Sequence, residues 1–124
     1  MRFVDTNILL YAISTAPEEQ QKARIALSVL DDEDLALSVQ VLQEFYVQAT
    51  RTSRSGRLSH EQASLLIEAF LRFPVQDGTV ELVRAACRSA QRYGISYWDA
   101  AIIEAARILG CTVVLTEDGC EVLA

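Results

Sequence analysis

Asp5, Glu44, Asp99 and Asp118 are the side chains of this sequence best suited to chemistry. Asp5 directly follows the apolar run Phe3-Val4. Glu44 lies early in a helical pattern after Leu35–Val39, Asp99 three residues after Ser96, and Asp118 two residues beyond Leu115-Thr116. Gathered at one place, such acids would be costly: two carboxylates about 4 Å apart repel by roughly 4 kcal/mol at an effective dielectric of about 20. Helix N-termini offset roughly 0.3–1 kcal/mol each, and the remainder calls for protonation or a bound cation. Oxygen donors without His or Cys select a hard ion, Mg²⁺ or Mn²⁺ rather than zinc. The net charge is −6, from 17 acids against 11 bases, so without those four acids the balance is 13 against 11. Much of the net charge would then belong to one site.

Each acid also has a purely structural reading. Asp99 completes the capping-box pattern Ser96-x-x-Asp99. Glu44 could be a solvated acid in the first turn of its helix, Asp5-Thr6-Asn7 could cap a first helix, and Asp118-Gly119 could form a plain turn. Glu117 reads as an exposed turn residue. The functional case rests on the joint pattern, which begins with an acid placed straight after a buried strand.

The elements that must position these acids alternate along the chain. Arg2-Phe3-Val4 reads as a short buried strand, and Asn7–Ile13 as an apolar helix. Thr15-Ala16-Pro17-Glu18 has the form of a capping-box start with an early proline, opening a helix to about Leu30. Its expected inward face is Ala23, Ala26, Leu27 and Leu30. After the acidic run Asp31–Asp34, Leu35–Val39 is the second strand. Val41 to about Thr52 is a helix with Leu42, Phe45, Tyr46 and Ala49 inward, and Thr52–Gly56 is a loop. Ser59 caps the next helix, whose expected stripe is Leu65, Leu66, Ala69 and Phe70. Pro74-Val75 begins a short third strand. Thr79–Tyr93 and Ser96–Leu109 are helices stopped by Gly94 and Gly110. Cys111–Thr116 is the fourth strand. Strands separated by helical crossovers favour parallel pairing, and continuously apolar strands fit a sheet covered on both faces. The expected fold is a three-layer α/β/α sandwich with a central parallel sheet, formed as a single domain over residues 1–124.

Composition narrows the class further. With 51 % hydrophobic and 23 % charged residues among 124, the chain is not a disordered tail. Its acidic balance argues against coating nucleic acid by bulk charge alone. No apolar stretch reaches the roughly 18–20 residues of a membrane span, and Met1 leads straight into Phe3-Val4 without a basic leader, so a soluble cytoplasmic protein is expected. Cys87, Cys111 and Cys120 cannot all pair within one chain and form no CxxC. They read as buried small hydrophobes of a reducing compartment.

The matching pieces Phe3-Val4-Asp5-Thr6-Asn7-Ile8-Leu9, Gln43-Glu44-Phe45, Ser96-Tyr97-Trp98-Asp99-Ala100-Ala101-Ile102 and Leu115-Thr116-Glu117-Asp118 resemble the PIN-domain nucleases, specifically the small VapC-like toxins of toxin–antitoxin pairs. The resemblance spans essentially the whole chain in the family's order. It implies that Asp5, Glu44, Asp99 and Asp118 form an acidic metal-binding quartet. Thr6 and Asn7 would order the first acid, and Thr116 would lie beside the metal or phosphate. It further implies Mg²⁺- or Mn²⁺-dependent cleavage of RNA, a homodimer, and an antitoxin that inserts a segment at the active site. Family members commonly continue into another short strand after the last motif, whereas this sequence offers only Gly119–Ala124 there.

An acidic catalytic edge needs cations to hold a polyanion. The bases are ten Arg and Lys22. Arg51, Arg54 and Arg57 cluster around the loop after the Glu44 helix, and Arg84, Arg88 and Arg92 repeat every four residues. Arginine's planar fork suits phosphate, although both groups could equally be solvated surface. The lone His60 lies outside the motifs, which leaves no histidine-pair ribonuclease chemistry. Hydrolysis by water, leaving a 5′-phosphate and a 3′-hydroxyl, is therefore expected. Tyr97 and Trp98 could stack on a base, but at helical spacing they read rather as core or interface residues. The exposed part of Asn7–Ile13 is a candidate dimer surface. A phospho-acceptor signalling module would need a lysine near the last strand, and a haloacid-dehalogenase-type phosphatase would need an acid at position 7, where Asn7 stands. The remaining rival is a non-catalytic PIN-like scaffold that binds RNA or a partner.

Overall fold

The computed structural model describes residues 1–117 and 119–123. Along the chain run β1 (Arg2–Val4), α1 (Thr6–Ala12), a 3-10 turn (Pro17–Glu19), α2 (Gln20–Leu30), β2 (Leu35–Ser38), α3 (Val39–Ala49), α4 (His60–Phe70), β3 (Val75–Gln76), α5 (Val80–Tyr93), α6 (Tyr97–Ile108), β4 (Val113–Thr116) and β5 (Gly119–Val122). The strands form a five-stranded sheet in the order β3-β2-β1-β4-β5. β1 to β4 are mutually parallel, as the alternation of apolar runs and helical patterns requires. β5 is an addition to that expectation. It runs antiparallel to β4, with Thr116 opposite Gly119, where Gly119 takes a φ of 125° that side chains rarely adopt.

Strand order and handedness place the helices. The steps β1→β2→β3 move outward in one direction, whereas β3→β4 returns past β2 and β1. Because parallel crossovers are right-handed, α1–α4 fall on one face and α5–α6 on the other. Phe3, Val4, Leu35 and Leu37 are wholly buried between these layers, as strands covered on both faces must be. From α3, Val41, Phe45 and Ala49 fill the core at four-residue spacing, and Phe45 meets Phe70 of α4 edge-to-face with ring centroids 5.2 Å apart.

Local chemistry explains most boundaries. The side chains of Ser38, Ser59, Thr79 and Ser96 each accept a backbone N–H at the start of a helix, replacing a donor's lost partner. Ser59 and Gln62 complete a reciprocal capping box. Gly94 ends α5 in the left-handed conformation at φ 65°.

Several expectations are corrected. The Thr15 capping box does not form: Ala16 precedes the 3-10 turn without a side-chain cap, because the Ser14 hydroxyl takes the Ala16 N–H and donates to Glu19. Leu27 is 53 % exposed, since α2 turns Ala23, Ala26 and Leu30 inward and Leu27 sits one residue off that line. Leu65 is 72 % exposed and Ala69 is also outward, because α4 buries Ala63 and Phe70 instead. Cys111 is buried as expected, but Cys87 is exposed on α5; the Cys120 side chain lies outside what is described. Among the described residues no helix is long and apolar enough to cross a membrane.

Phe45→Ala should therefore lower the unfolding free energy by about 3–5 kcal/mol, read as a reduced urea midpoint at unchanged slope. Leu65→Ala should stay within about 0.5 kcal/mol of the parent chain.

Candidate active site

Strand order reverses between β1 and β4, and ligands of open parallel sheets bind outside the carboxyl ends of the strands at such a point. β1 ends there at Val4 and β4 at Thr116, and the Asp5 N–H donates to the Leu115 carbonyl at 3.0 Å. Asp5 is thus clamped to both strands as it leaves the sheet. Its carboxylate accepts the Thr6 N–H at 2.7 Å and caps α1, so the capping reading and the site reading hold together.

Glu44 comes from α3. Because Ser38 ends β2 and caps the helix at Val39, Glu44 falls in the second turn, not in the first turn that the sequence pattern predicts. Its two carboxylate oxygens are held separately: one accepts the Thr6 hydroxyl at 2.9 Å, the other the Gln40 amide at 2.8 Å. Thr6 is buried, and its hydroxyl links the end of β1 to α3. The Gln40 amide also donates to the Trp98 carbonyl at 3.4 Å, which brings in the start of α6.

Asp99 lies in the first turn of α6, as the sequence predicts. Its N–H donates to the Ser96 hydroxyl at 3.1 Å. Among the described residues no return bond from the Asp99 carboxylate to Ser96 is formed, so only half of a capping box exists and the exposed carboxylate keeps its free oxygens. Asp5, Asn7, Asp99, Thr116 and Glu117 together line a cleft of about 390 Å³, floored by Ile95, Ile102, Ile103 and Val114. Asp118, the fourth acid of the sequence pattern, lies outside the described residues.

Glu117 is the member that sequence reasoning missed. It is an exposed turn residue, as expected, yet it faces this cleft and accepts the Tyr11 hydroxyl at 2.8 Å. Tyr11 in turn accepts from Lys22 at 3.3 Å. The signal available was its place inside the last motif, directly before Asp118.

The electrostatics follow from this assembly. Burial pushes the Asp5 pKa above its ordinary 3.8; the Thr6 N–H opposes the rise, and the charges of Glu44, Asp99 and Glu117 add to it. Among the described residues the ion pairs are the Met1 amino group with Asp34 and Arg2 with Asp32. None neutralises Asp5, Glu44, Asp99 or Glu117. Among the described residues no three acidic, His or Cys side chains are grouped to hold one ion; Asp5, Asp99 and Glu117 line the cleft, and Glu44 lines the groove beside it.

The arginine loop stands apart from this rim. Arg51 and Arg57 are exposed, but an Arg54 guanidinium N–H donates to the Leu10 carbonyl at 3.3 Å. Leu10 is five residues beyond Asp5, about 7.5 Å along a helix axis. Arg54 therefore ties the loop to the far part of α1. Of the expectation that Tyr97 and Trp98 lie in the core or at a subunit interface, the core placement fails for Trp98, which is 63 % exposed, whereas half-buried Tyr97 packs against the Ala86, Ala100 and Ala101 cluster.

The family model of the PIN domain matches residues 2–119. The chain belongs to the PIN domain family. No curated protein sequence matches it, but solved structures do. A toxin–antitoxin complex from Klebsiella pneumoniae superposes with a TM-score of 0.71 at 20 % identity, covering 94 % of this chain and 85 % of that one. Mycobacterium tuberculosis VapC20, described as a sarcin-ricin loop cleaving toxin, gives 0.69 at 19 % identity, with 94 % and 88 % covered. Neisseria gonorrhoeae FitAcB gives 0.63 at 20 % identity, with 95 % and 88 % covered. At such identities the likeness is one of fold: this PIN domain shares the α/β/α arrangement of toxin–antitoxin proteins.

Two predictions follow from the geometry. A raised Asp5 pKa means that the folded chain binds the proton more tightly than the unfolded chain. Stability therefore falls as pH rises from 3.8 through the folded value, and the full penalty is present above it. Asn is as good a cap as Asp, so Asp5→Asn should raise the melting temperature at neutral pH in metal-free buffer; a fall would mean that the charge itself stabilises the fold. Thr6→Val removes a hydroxyl bond to a carboxylate and should cost about 1.5–3 kcal/mol, measurable by urea unfolding.

Proposed function

We propose that this PIN domain, as a single unit over residues 1–124, is a Mg²⁺- or Mn²⁺-dependent endoribonuclease and the toxin of a toxin–antitoxin pair. The observation that carries the reading is that Asp5 sits at the sheet's switch point under the charges of Glu44, Asp99 and Glu117, while among the described residues no ion pair involves any of the four. The donor chemistry fits a hard divalent ion. Mg²⁺ usually keeps several waters and takes only one or two carboxylates directly, which suits an open acidic rim better than a closed cage would. Asp5, Glu44 and Asp99, with Asp118 as the fourth acid, would hold the metal, and Glu117 would add charge at the cleft. When bound, such an ion supplies charge neutralisation at the phosphate and lowers the pKa of water.

The chain's own groups do the rest. Thr6 and Gln40 hold the two Glu44 oxygens in fixed directions, and the Asp5 carboxylate is fixed by its cap bond. Asn7 and Thr116 offer polar atoms along the cleft to a phosphate. Exposed Arg51 and Arg57 would track the RNA backbone outside the acidic rim, while Arg54 braces their loop. Toxin function, an antitoxin partner and a homodimeric state are proposed from the family and from the toxin–antitoxin proteins that share the fold.

Purified protein, freed of any bound inhibitor, should cleave single-stranded RNA with Mg²⁺, lose cleavage with EDTA and regain it on Mg²⁺ addition. Its products should carry a 5′-phosphate and a 3′-hydroxyl. Asp5→Asn should reduce the rate by about 100-fold or more, the range of a lost electrostatic contributor. RNA binding without cleavage in any divalent metal would favour the scaffold reading, and cyclic phosphate ends would exclude hydrolysis by water.

A further inference from the structure

Beside the acidic rim lies a second groove, of about 410 Å³, lined by Gln40, Gln43, Glu44, Val47, Gln48 and Trp98. The first five are spaced i, i+3, i+4, i+7 and i+8, a single face of α3. On a helix seeking a protein partner that stripe would be apolar. Here it presents three side-chain amides, one carboxylate and a single aliphatic, Val47, which is 56 % exposed. Trp98 is 63 % exposed and forms the opposite wall. Its ring is braced by Tyr97 edge-to-face, with centroids 5.1 Å apart. Gln40 ties the two walls together, because its amide nitrogen serves both Glu44 and the Trp98 carbonyl. Its amide oxygen remains as an acceptor.

We infer that this groove is a nucleobase subsite, in which one unstacked base of the RNA lies on Trp98 with its edge read by the glutamine amides. The inference rests on the ribonuclease reading above and names which part of the substrate sits where. The groove contains no Lys or Arg, so it is not built for phosphate. An indole face takes any base by stacking, and a primary amide offers the paired donor and acceptor that a base edge presents. Glu44 lines this groove and is tied through the Thr6 hydroxyl to the residue that follows Asp5, so a base seated here lies next to an acid of the proposed metal site. A second copy of the chain is the competing occupant. It would bury the Glu44 charge and the amides against another protein surface, and an unpaired buried charge or polar group is costly.

Trp98 is the chain's single tryptophan, so its fluorescence reports on this groove without interference. The experiment titrates full-length Asp5→Asn protein, which leaves the RNA intact, with adenine, uracil, cytosine and guanine hexaribonucleotides and with an abasic ribose-phosphate hexamer. Base-bearing hexamers should quench Trp98 saturably, and the abasic hexamer should bind more weakly and quench little. In the otherwise native enzyme, Trp98→Ala should raise KM about tenfold or more, the worth of one stacked base, and Trp98→Phe should recover much of the loss. Gln43→Ala, which leaves the indole in place, should alter the ranking of the four hexamers. Equal quenching by the abasic hexamer would overturn the inference. So would a Trp98→Ala protein with unchanged KM but a halved sedimentation mass, since a second copy would then cover the groove. Native cleavage without any Trp98 response defeats the subsite and leaves the ribonuclease reading standing. Base-dependent quenching in a protein that cuts no RNA defeats the ribonuclease reading and leaves the subsite.

Discussion

Uncompensated negative charge at the junction of β1 and β4 is the constraint on which the rest of this structure turns. A half-buried carboxylate at the end of a strand loses part of its solvation, and three further acids nearby raise the cost. The fold answers with backbone dipoles and neutral donors instead of arginines: the Thr6 N–H and hydroxyl, and the Gln40 amide. Such donors orient the oxygens without cancelling their charge. A salt bridge at the same place would steady the fold and leave nothing for a cation to do.

That choice explains why the polar atoms near the rim form a connected series. The carboxylate of Asp5 is set by α1, the hydroxyl of α1's first residue sets Glu44 on α3, and Gln40 on α3 reaches the Trp98 carbonyl at the start of α6. Segments nearly a hundred residues apart in the chain are linked by four hydrogen bonds. Each bond is modest alone, but those that end on a charged group are the stronger kind. The apolar layer beneath, with Phe3, Leu37 and Phe45 wholly buried, supplies the stiffness that lets so few polar contacts define a geometry.

Much of this was legible from residue order. The parallel sheet followed from apolar runs alternating with helical patterns, and Asp5 and Asp99 fall where strand-end and first-turn placement puts them. What was missed has local causes. Glu44 moved by one turn because Ser38, which reads equally well as a strand residue, is used as a cap. Leu27 and Leu65 lie outward because helical stripes in α2 and α4 tolerate a shift of one residue when alanines are available to face the core. Glu117 was passed over because its partners, Tyr11 and Asp5, are over a hundred residues away and no spacing rule connects them. β5 escaped notice because an antiparallel edge strand of four residues draws its hydrogen bonds from β4 and needs no pattern of its own.

The position of β4 also has a consequence for how the protein is made. β1 precedes β4 along the chain by more than a hundred residues, yet its neighbour on one side is β4, which begins at Val113. Until that late strand emerges from the ribosome, β1 has an open flank and Asp5 lacks the Leu115 carbonyl that fixes its backbone. Asp99 and Glu117 are likewise translated late. A growing chain thus carries Asp5 without the surroundings that give that acid a role until β4 has followed, and the cleft cannot be completed before β4 joins the sheet.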